Sequence, residues 1–334
     1  MLPFSGNASP LPRNAGVALI LALAAIVTAS GLLLWLQARA LHRGTSAYAA
    51  LETEHLRVAA AETARAALYV LAADPDLSVD HPGEDWAQPL ERDWPGGIHA
   101  WARVEDAAAY VDLNNLACSN QPGRPFSAIL RNAFTACGHF EADAPVDALA
   151  DYVDADTTGD YEAAFYRHAD APLLPPDREL WAPAELLHVH GFSPALFAPP
   201  APAPDARHHR DELFGGDFRQ ATVLLPDAPD APVPVNLNTA TREALLAVAG
   251  IEHAATVRSA MSLRALHPFQ STTLLAAASP DLASTLEGAI DVKSAYYRVR
   301  ATAEHDGRRR SILAYARRDP DGTVHLLQWL EGVS

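Results

Sequence analysis

Residues 13–36 read R-N-A-G-V-A-L-I-L-A-L-A-A-I-V-T-A-S-G-L-L-L-W-L, and this stretch decides how the chain is organised. One arginine and the small Gly16 are followed by twenty residues without a charge, among which only Thr28 and Ser30 bring polar side chains. A run of about 20 apolar residues is the length that crosses the hydrocarbon core of a bilayer as a helix. Residues 17–36 therefore predict one transmembrane helix near the start of the chain.

The polar block in front of this helix predicts a leader peptide that ends at Gly16. The apolar run is too long for a secretory signal, and Trp35, Leu36 and Gln37 offer no small-x-small cleavage site behind it. A polar block that ends in glycine and runs directly into a membrane-length helix is the layout of a prepilin-type leader. Cleavage between Gly16 and Val17 would keep the anchor, whereas an ordinary signal anchor on an unrelated domain is the alternative.

The charges beside the helix leave its orientation open. Arg13 precedes the helix and Arg39 and Arg43 follow it, so the positive-inside count favours neither side. The leader layout and a pair of cysteines place the bulk of the chain outside the cytoplasm. We therefore expect a single-pass protein of the bacterial inner membrane with its C-terminal bulk in the periplasm.

The chain is acidic, with 25 Lys+Arg against 41 Asp+Glu and a formal net charge of −16. Such a surface repels nucleic-acid phosphates and anionic lipid headgroups, and it suits divalent cations or a basic partner. The sequence contains no nucleophile elbow, P-loop, dinucleotide fingerprint or H-E-x-x-H motif. We expect neither an enzyme nor a nucleic-acid-binding protein.

The chain beyond the anchor predicts an α+β fold with a long N-terminal helix and an antiparallel sheet. Residues 45–73 contain strong helix formers and neither Pro nor Gly, which extends the anchor helix through residues 37–75. Residues 76–113 predict a loop and then a hairpin, with alternating strands at 98–104 and 108–113.

Three C-terminal strands within residues 291–334 complete this sheet, because alternating runs are separated by Asp-Gly and Pro-Asp-Gly turns. The strands are expected at 295–303, 311–317 and 323–329. A sheet that begins near residue 98 and is completed after residue 295 implies an insertion between its halves.

Residues 114–290, called the insert below, predict a large α-helical domain. Helical runs are expected at 126–136, 145–152, 184–188, 239–249, 253–263 and 282–290. Pro-rich stretches at 193–205 and 226–234 form a connection between two subdomains, 114–192 and 235–290.

An acidic loop in the insert predicts a calcium site. Oxygen-bearing side chains occupy alternate positions around Gly159, as in the first part of an EF-hand loop. The candidate ligands are Asp154, Asp156, Thr158, Asp160 and Glu162. Position 12 is Phe165, where a bidentate glutamate belongs, so a carboxylate from elsewhere would have to complete the shell. The alternative is a solvated acidic loop whose Asp caps the next helix.

The two cysteines, Cys118 and Cys137, predict a disulfide. In an exported domain such a pair brackets a short loop, and closing it contributes about 3 kcal/mol in the loop-entropy model. Two separately buried thiols are the alternative. Gln121 and Glu141 lie beside the pair and are weaker candidates for calcium ligands.

Residues 235–255 read V-N-L-N-T-A-T-R-E-A-L-L-A-V-A-G-I-E-H-A-A and predict a helix-hairpin-helix (SAM-like) unit. Asn238 or Thr239 caps its first helix, and the chain turns into the second at Gly250. In nucleic-acid-binding hairpins a G-I-G turn is followed by a basic residue, so that free amides meet phosphate. Here Glu252 places a carboxylate there, which works against DNA binding and favours a hairpin used for packing.

The order of these motifs resembles the minor pseudopilin K family of type II secretion, the general secretion pathway protein K. The resemblance runs from about residue 13 to the end and is carried by A-G-V-A-L-I, Y-V-D-L-N-N-L, the cysteine pair, D-Y-V-D-A-D-T-T-G-D-Y-E-A-A-F-Y, E-L-L-H-V-H-G-F and V-N-L-N-T-A-T. Its acidic stretch around Glu162 is shorter than is usual in that family.

The resemblance implies cleavage by the prepilin peptidase between Gly16 and Val17, with methylation of the new amino terminus. It further implies a pilin-like fold, in which the long N-terminal helix packs on the antiparallel sheet and the sheet carries a large α-helical insert with two calcium ions. The family assembles with minor pseudopilins I and J and other pseudopilins at the tip of the pseudopilus, and the resemblance implies the same assembly here. There the protein would initiate or cap assembly for export across the outer membrane.

Two features agree with a position at the tip. Counted from Val17, the fifth residue is Leu21, where most pilin-like subunits carry a glutamate that pairs with a neighbour's terminal ammonium. The insert would also obstruct a subunit stacked above it. The alternative is a membrane-anchored helix-hairpin-helix DNA-binding protein of the competence type, against which Glu252 and the acidic charge argue.

Overall fold

The computed structural model describes residues 15–118, 126–168, 173–197, 217–226, 231–273, 286 and 288–332. The chain divides into two compact units, residues 1–56 and residues 57–334. In its described part the first unit is helical, and the second contains a sheet and a helical region.

Helix α1 (Ala15–Ala72) confirms the predicted long N-terminal helix. It contains a segment long and apolar enough to cross a membrane, and the large apolar side chains of that segment are exposed. From Arg57 onward the helix belongs to the second unit, where Ala60, Ala64 and Ala67 are buried. Their spacing of four and three residues places these alanines on one face of the helix.

The described elements of the second unit are named in chain order. The strands are β1 (Leu90–Trp94), β2 (Ile98–Asp106), β3 (Val111–Asp112), β4 (Thr222–Val223), β5 (Val235–Asn236), β6 (Ile290–Asp291), β7 (Tyr296–His305), β8 (Arg308–Arg318) and β9 (Val324–Glu331). The helices are α2 (Phe126–Ala136), α3 (Asp143–Val153), α4 (Ala163–His168), α5 (Phe218–Ala221), α6 (Arg242–Ala249) and α7 (Ala254–Leu266).

Five strands form an antiparallel sheet in the order β1-β2-β7-β8-β9. The three predicted C-terminal strands are confirmed as β7, β8 and β9. Because β2 and β7 pair directly, the sheet is begun before the insert and completed after it, as predicted. The α+β fold class is therefore confirmed.

The predicted hairpin between 98–104 and 108–113 is wrong. The partner of β2 on that side is β1, which lies in a segment predicted as loop. The chain after β2 instead makes short 3-10 turns, because the Asp106 carboxylate accepts the Ala108 N–H and the Asp112 carboxylate accepts the Asn114 N–H. These local hydrogen bonds compete with strand pairing.

The inner face of the sheet is lined by small side chains. Ala100, Ala102, Ala301 and Ala303 alternate along β2 and β7 and are at most 1% exposed. On the same face, Arg57 and Arg65 of α1 reach β9, where Arg57 pairs with Glu331 at 3.1 Å and Arg65 lies over the ring of Trp329. Alanines on both partners allow the end of α1 to approach the sheet closely.

The helices of the insert share one hydrophobic core, which contains residues from both predicted subdomains. Phe134 of α2 lies 4.7 Å from the ring of Phe218, and Leu149 of α3 and Leu246 of α6 are fully buried beside them. The predicted helices at 126–136, 145–152, 239–249 and 253–263 are confirmed as α2, α3, α6 and α7. Residues 184–188 form a 3-10 helix instead, and most of 282–290 lies outside the described residues.

Two asparagine side chains hold distant segments of the insert together by hydrogen bonds to their backbone. The Asn114 amide donates to the carbonyls of Leu180 and Leu225 and accepts the Leu180 N–H. Asn115 makes the same reciprocal pair with Val233. Buried backbone groups need such partners, so the segment Y-V-D-L-N-N-L has a structural role.

A buried ionic cluster, defined as Asp74, Asp80 and Arg318, ties the end of α1 to β8. Arg318 is 4% exposed and donates to Asp74 at 2.6 Å and to the fully buried Asp80. Asp80 also accepts the Tyr297 hydroxyl and the Ser294 N–H, each at 2.7 Å. The buried Asp80 carboxylate is therefore satisfied by three donors.

Asp106 joins the insert to the sheet beside this cluster. Its carboxylate accepts hydrogen bonds from Ser294 at 2.6 Å, from the Asn236 amide at 2.8 Å and from Thr239. Burial is the main reason why its pKa is raised to about 6. The segment V-N-L-N-T-A-T thus anchors the insert on the sheet.

Candidate metal centre

Three of the predicted calcium ligands converge in the loop that follows α3. Asp154, Asp156 and Glu162 each offer a carboxylate oxygen, and these oxygens lie within 4.8 Å of one another. The loop turns back on itself because the Thr158 N–H donates to Asp156 Oδ1 at 2.7 Å. This arrangement brings the two ends of the acidic segment together around one point.

Two of these oxygens are buried and have no hydrogen-bond partner among the described residues, namely Asp154 Oδ1 and Glu162 Oε1. Burial, followed by repulsion from neighbouring carboxylates, raises the pKa of Asp154 and of Glu162. Buried polar atoms are ordinarily paired, so two carboxylate oxygens without a hydrogen-bond partner in one acidic group are suited to contact a cation. Oxygen-only donors are what Ca²⁺ prefers, and the residues present fit it.

Asp151 is a ligand candidate that the sequence pattern did not identify. It lies in the last turn of α3 and accepts the Tyr161 N–H at 2.8 Å across the loop. A Cβ at position 159 would lie 2.1 Å from Asp151 Oδ2, so Gly159 is required for this close approach. The sequence feature that could have identified Asp151 is its spacing of three residues from Asp154, which places two carboxylates on one side of a helix end.

Asp177 is a second carboxylate that the pattern did not identify. Its charge helps to raise the pKa of both Asp154 and Glu162. It precedes the segment of residues 178–192, which packs against the loop through His190, whose ring stacks on Tyr161 at 5.1 Å. A carboxylate from elsewhere in the chain was expected to complete the shell. Asp151 and Asp177 are close enough for their charges to act on Asp154 and Glu162, although neither is among the three carboxylates that lie within 4.8 Å of one another.

The other predicted ligands do not join this group of three carboxylates. The side chains of Thr158 and Asp160 are exposed, as is that of Asp156, but Asp160 is not among the carboxylates that lie within 4.8 Å of one another. Glu141 is likewise exposed, in the stretch before α3. Gln121 lies outside the described residues.

A second group of acidic side chains, Asp74, Asp80 and Glu84, also lies within 4.8 Å. In this group the guanidinium of Arg318 provides the positive charge, because it pairs with both aspartates. Glu84 accepts the His81 N–H at 2.7 Å and the Trp86 ring N–H at 2.9 Å. An arginine thus serves here as the cation, and the group is structural.

Cys118 and Cys137 are not bonded to each other in the structure, which differs from the predicted disulfide. The Cys137 thiol is buried and points at the carbonyl of Asp217 at 3.7 Å. Burial, and then the charges of Glu243 and Asp217, raise the pKa of Cys137 to about 12. A buried thiol that stays protonated is a poor nucleophile for disulfide formation.

We expect two thiols per chain after denaturation without reductant, measured by alkylation with iodoacetamide and mass spectrometry. Under native conditions Cys137 is expected to resist alkylation because its thiol is buried and protonated. A chain that takes up label only after reduction would show that the disulfide forms.

The predicted hairpin segment is held by packing contacts. The helix α6 is capped by Thr241, whose hydroxyl accepts the Ala244 N–H at 3.0 Å, and not by Asn238 or Thr239 as predicted. Asn238 instead makes a reciprocal pair with the backbone of Phe269. These contacts give the motif a structural role.

The turn between α6 and α7 does not offer a free phosphate site. The carboxylate of Glu252 folds back against Gly250, where a Cβ would lie 2.4 Å from Glu252 Oε1. A negative charge thus occupies the place that a phosphate would need. This geometry argues against the DNA-binding alternative.

The predicted processing junction lies in the first turn of α1. Gly16 and Val17 follow the first described residue, and Val17 is 58% exposed. Leu21 is 65% exposed, within the apolar segment that is long enough to cross a membrane. Nothing in the first turns of this helix replaces the carboxylate that Leu21 lacks.

No family model and no curated protein matches the sequence. Among solved structures, the chain is similar to a chain of the GspK-GspI-GspJ complex from the type II secretion system of enterotoxigenic Escherichia coli. The match has a TM-score of 0.65 at 18% identity and covers 86% of this chain and 100% of that chain. The chain therefore has the fold of a subunit of that secretion complex, with a long N-terminal helix, an antiparallel sheet and a helical domain.

Proposed function

We propose that this chain is a minor pseudopilin of a type II secretion system. The observation that carries the proposal is the likeness in fold to a chain of the GspK-GspI-GspJ complex, which extends over all of that chain. The apolar start of α1, placed directly after Gly16, supports it independently. The role is structural, and no step of chemistry is assigned to the chain.

The leader is removed by the prepilin peptidase between Gly16 and Val17, and the new amino terminus is methylated. The mature helix then remains in the inner membrane, with the second unit in the periplasm. The exposed apolar side chains at the start of α1 support this location, because a bilayer would cover them. Assembly with minor pseudopilins I and J follows from the same proposal.

A position at the tip of the pseudopilus is supported by Leu21 and by the insert. A subunit within the filament needs a partner for its neighbour's terminal ammonium, and Leu21 cannot provide one. The insert follows β2 and precedes β7, so a helical domain is added to the sheet that carries it. Both features favour a subunit that caps or initiates the assembly.

Calcium would stabilise the insert in this role. Asp154, Asp156 and Glu162, together with Asp151 and Asp177, would hold the ion, which would supply positive charge to a group of partly buried, mutually repelling carboxylates. The unpaired oxygens of Asp154 and Glu162 support this assignment.

Co-purification tests the proposed assembly. The tagged full chain, co-expressed with minor pseudopilins I and J of its own system and extracted in detergent, is expected to elute with both in one complex. The first unit alone, residues 1–56 with the same tag, is the control for association through the membrane helix. Recovery of the chain without I and J, or equal recovery with the control, would contradict the proposal.

A further inference from the structure

The outer face of the sheet, opposite the alanine-lined inner face, carries its charges in rows across the strands. In one row Arg298 donates to Glu105 at 2.9 and 2.6 Å. In another, His99 lies 3.0 Å from Asp93, and Arg309 donates to Glu304 at 2.6 Å. Opposite charges therefore face each other in the rows at both ends of this surface.

Two rows lie between them. The row of Trp101 and Thr302 carries no charge, and in the other row Arg103 lies directly opposite Arg300, so that like charges face each other. Both side chains are exposed, and in the described part of the chain neither makes a hydrogen bond or an ion pair. Guanidinium groups stay charged at all ordinary pH values, and like charges directly opposite in a sheet destabilise it. The chain has a net charge of −16, yet its described part supplies neither of these arginines with an ion-pair partner. A binding partner could supply the missing counter-charge.

The same row continues into apolar side chains. Leu313 lies opposite Arg300 and is only 9% exposed, and Leu330 lies opposite Leu313 on the edge strand β9. Leu330 is 36% exposed. Trp101 lies two residues before Arg103 on the same face of β2 and is half-buried. This face thus presents two cations together with Leu330 and an aromatic ring.

From this geometry we propose that the row formed by Arg103, Arg300 and Leu330 is a docking surface for an acidic segment of a partner protein. One carboxylate placed between the two arginines accepts a hydrogen bond from each guanidinium and removes their repulsion. An apolar side chain further along the segment packs on Leu330. The partner is therefore a protein segment that combines Glu or Asp with aliphatic residues.

A labelled acidic peptide tests this surface directly. The probe is a fluorescein-labelled decapeptide of alternating Glu and Val, and its counterpart carries Gln in place of Glu. With the full chain in detergent, we expect the Glu peptide to bind and the R103Q/R300Q variant to lose at least about tenfold in affinity. The matched control R92Q/R258Q removes the same two charges at exposed positions outside the row and is expected to stay within about twofold of the unmodified chain.

Thermal unfolding distinguishes a docking role from a structural one. R300E creates an opposite-charge pair with Arg103, so it is expected to raise the melting temperature by about 1–3 °C while peptide binding is lost. The proposal is overturned if the Glu and Gln peptides bind equally, if the control double variant loses as much affinity, or if R300E lowers the melting temperature. Binding is measured without other secretion proteins, so failure of the assembly test leaves this proposal standing.

Discussion

Replacing Arg318 with methionine is expected to lower the free energy of unfolding by about 3–5 kcal/mol. Methionine keeps much of the side-chain volume but leaves the fully buried Asp80 without its cation. The Tyr297 ring, which lies 4.9 Å from the guanidinium carbon, also loses its cation–π contact. A buried carboxylate without a counter-charge is far more costly than a lost surface pair, because water no longer compensates it.

Urea unfolding of the full chain in detergent, followed by tryptophan fluorescence, measures this loss. Trp86 packs edge-on against Tyr297 at 5.3 Å, so it reports on the region of the cluster. The adjacent Arg317 gives the matched control, since it is only partly buried and pairs with Asp319 at 3.2 Å. R317M is expected to cost less than about 1 kcal/mol. Equal and small losses in both variants would show that the cluster does not support the fold.

Saturating Ca²⁺ is expected to raise the melting temperature of the full chain by about 5–10 °C relative to EGTA. An ion at 100 times its dissociation constant that binds only the folded state adds about 2.7 kcal/mol, and a domain of this size gains a few degrees per kcal/mol. Differential scanning calorimetry in detergent, with and without Ca²⁺, provides the measurement. Mg²⁺ at the same concentration is expected to have a smaller effect, because it demands a tighter octahedral shell.

Two variants tie the calcium effect to the loop. D154N/E162Q is expected to abolish the shift and, in EGTA, to raise the melting temperature, since it removes two repelling carboxylates whose pKa values are raised by burial. E141Q changes an exposed carboxylate outside the group and is expected to keep the full shift. A shift that survives D154N/E162Q would place the ion elsewhere.

The sequence alone was sufficient to predict those elements whose local residue pattern and tertiary packing favour the same structure. Strands β7, β8 and β9 were predicted because alternating residue patterns are separated by turn residues. Helix α1 was predicted because its apolar start and the strong helix formers behind it both favour a helix. Strand β1 was missed because its L-E-R-D-W sequence is mostly exposed at the edge of the sheet. Its pairing with β2 depends on backbone hydrogen bonds, which leave little trace in an edge strand's side chains.

Only part of the candidate site was predicted from the sequence, for a related reason. The loop pattern starts at Asp154 and counts forward, so it cannot include Asp151 in the preceding helix or Asp177 beyond the following one. The disulfide was inferred from compartment and spacing, but the orientation of the Cys137 thiol toward Asp217 depends on how α2 packs. Tertiary contacts of this kind cannot be read from local sequence.

Sequencing the mature amino terminus tests the central claim most directly. When the full chain is co-expressed with the prepilin peptidase of its system, mass spectrometry is expected to find an amino terminus at N-methylated Val17, and Gly16→Leu is expected to block the cleavage. A chain that retains Met1 beside an active peptidase, or one cut behind the apolar segment after Leu36, would contradict the account of this protein as a pseudopilin.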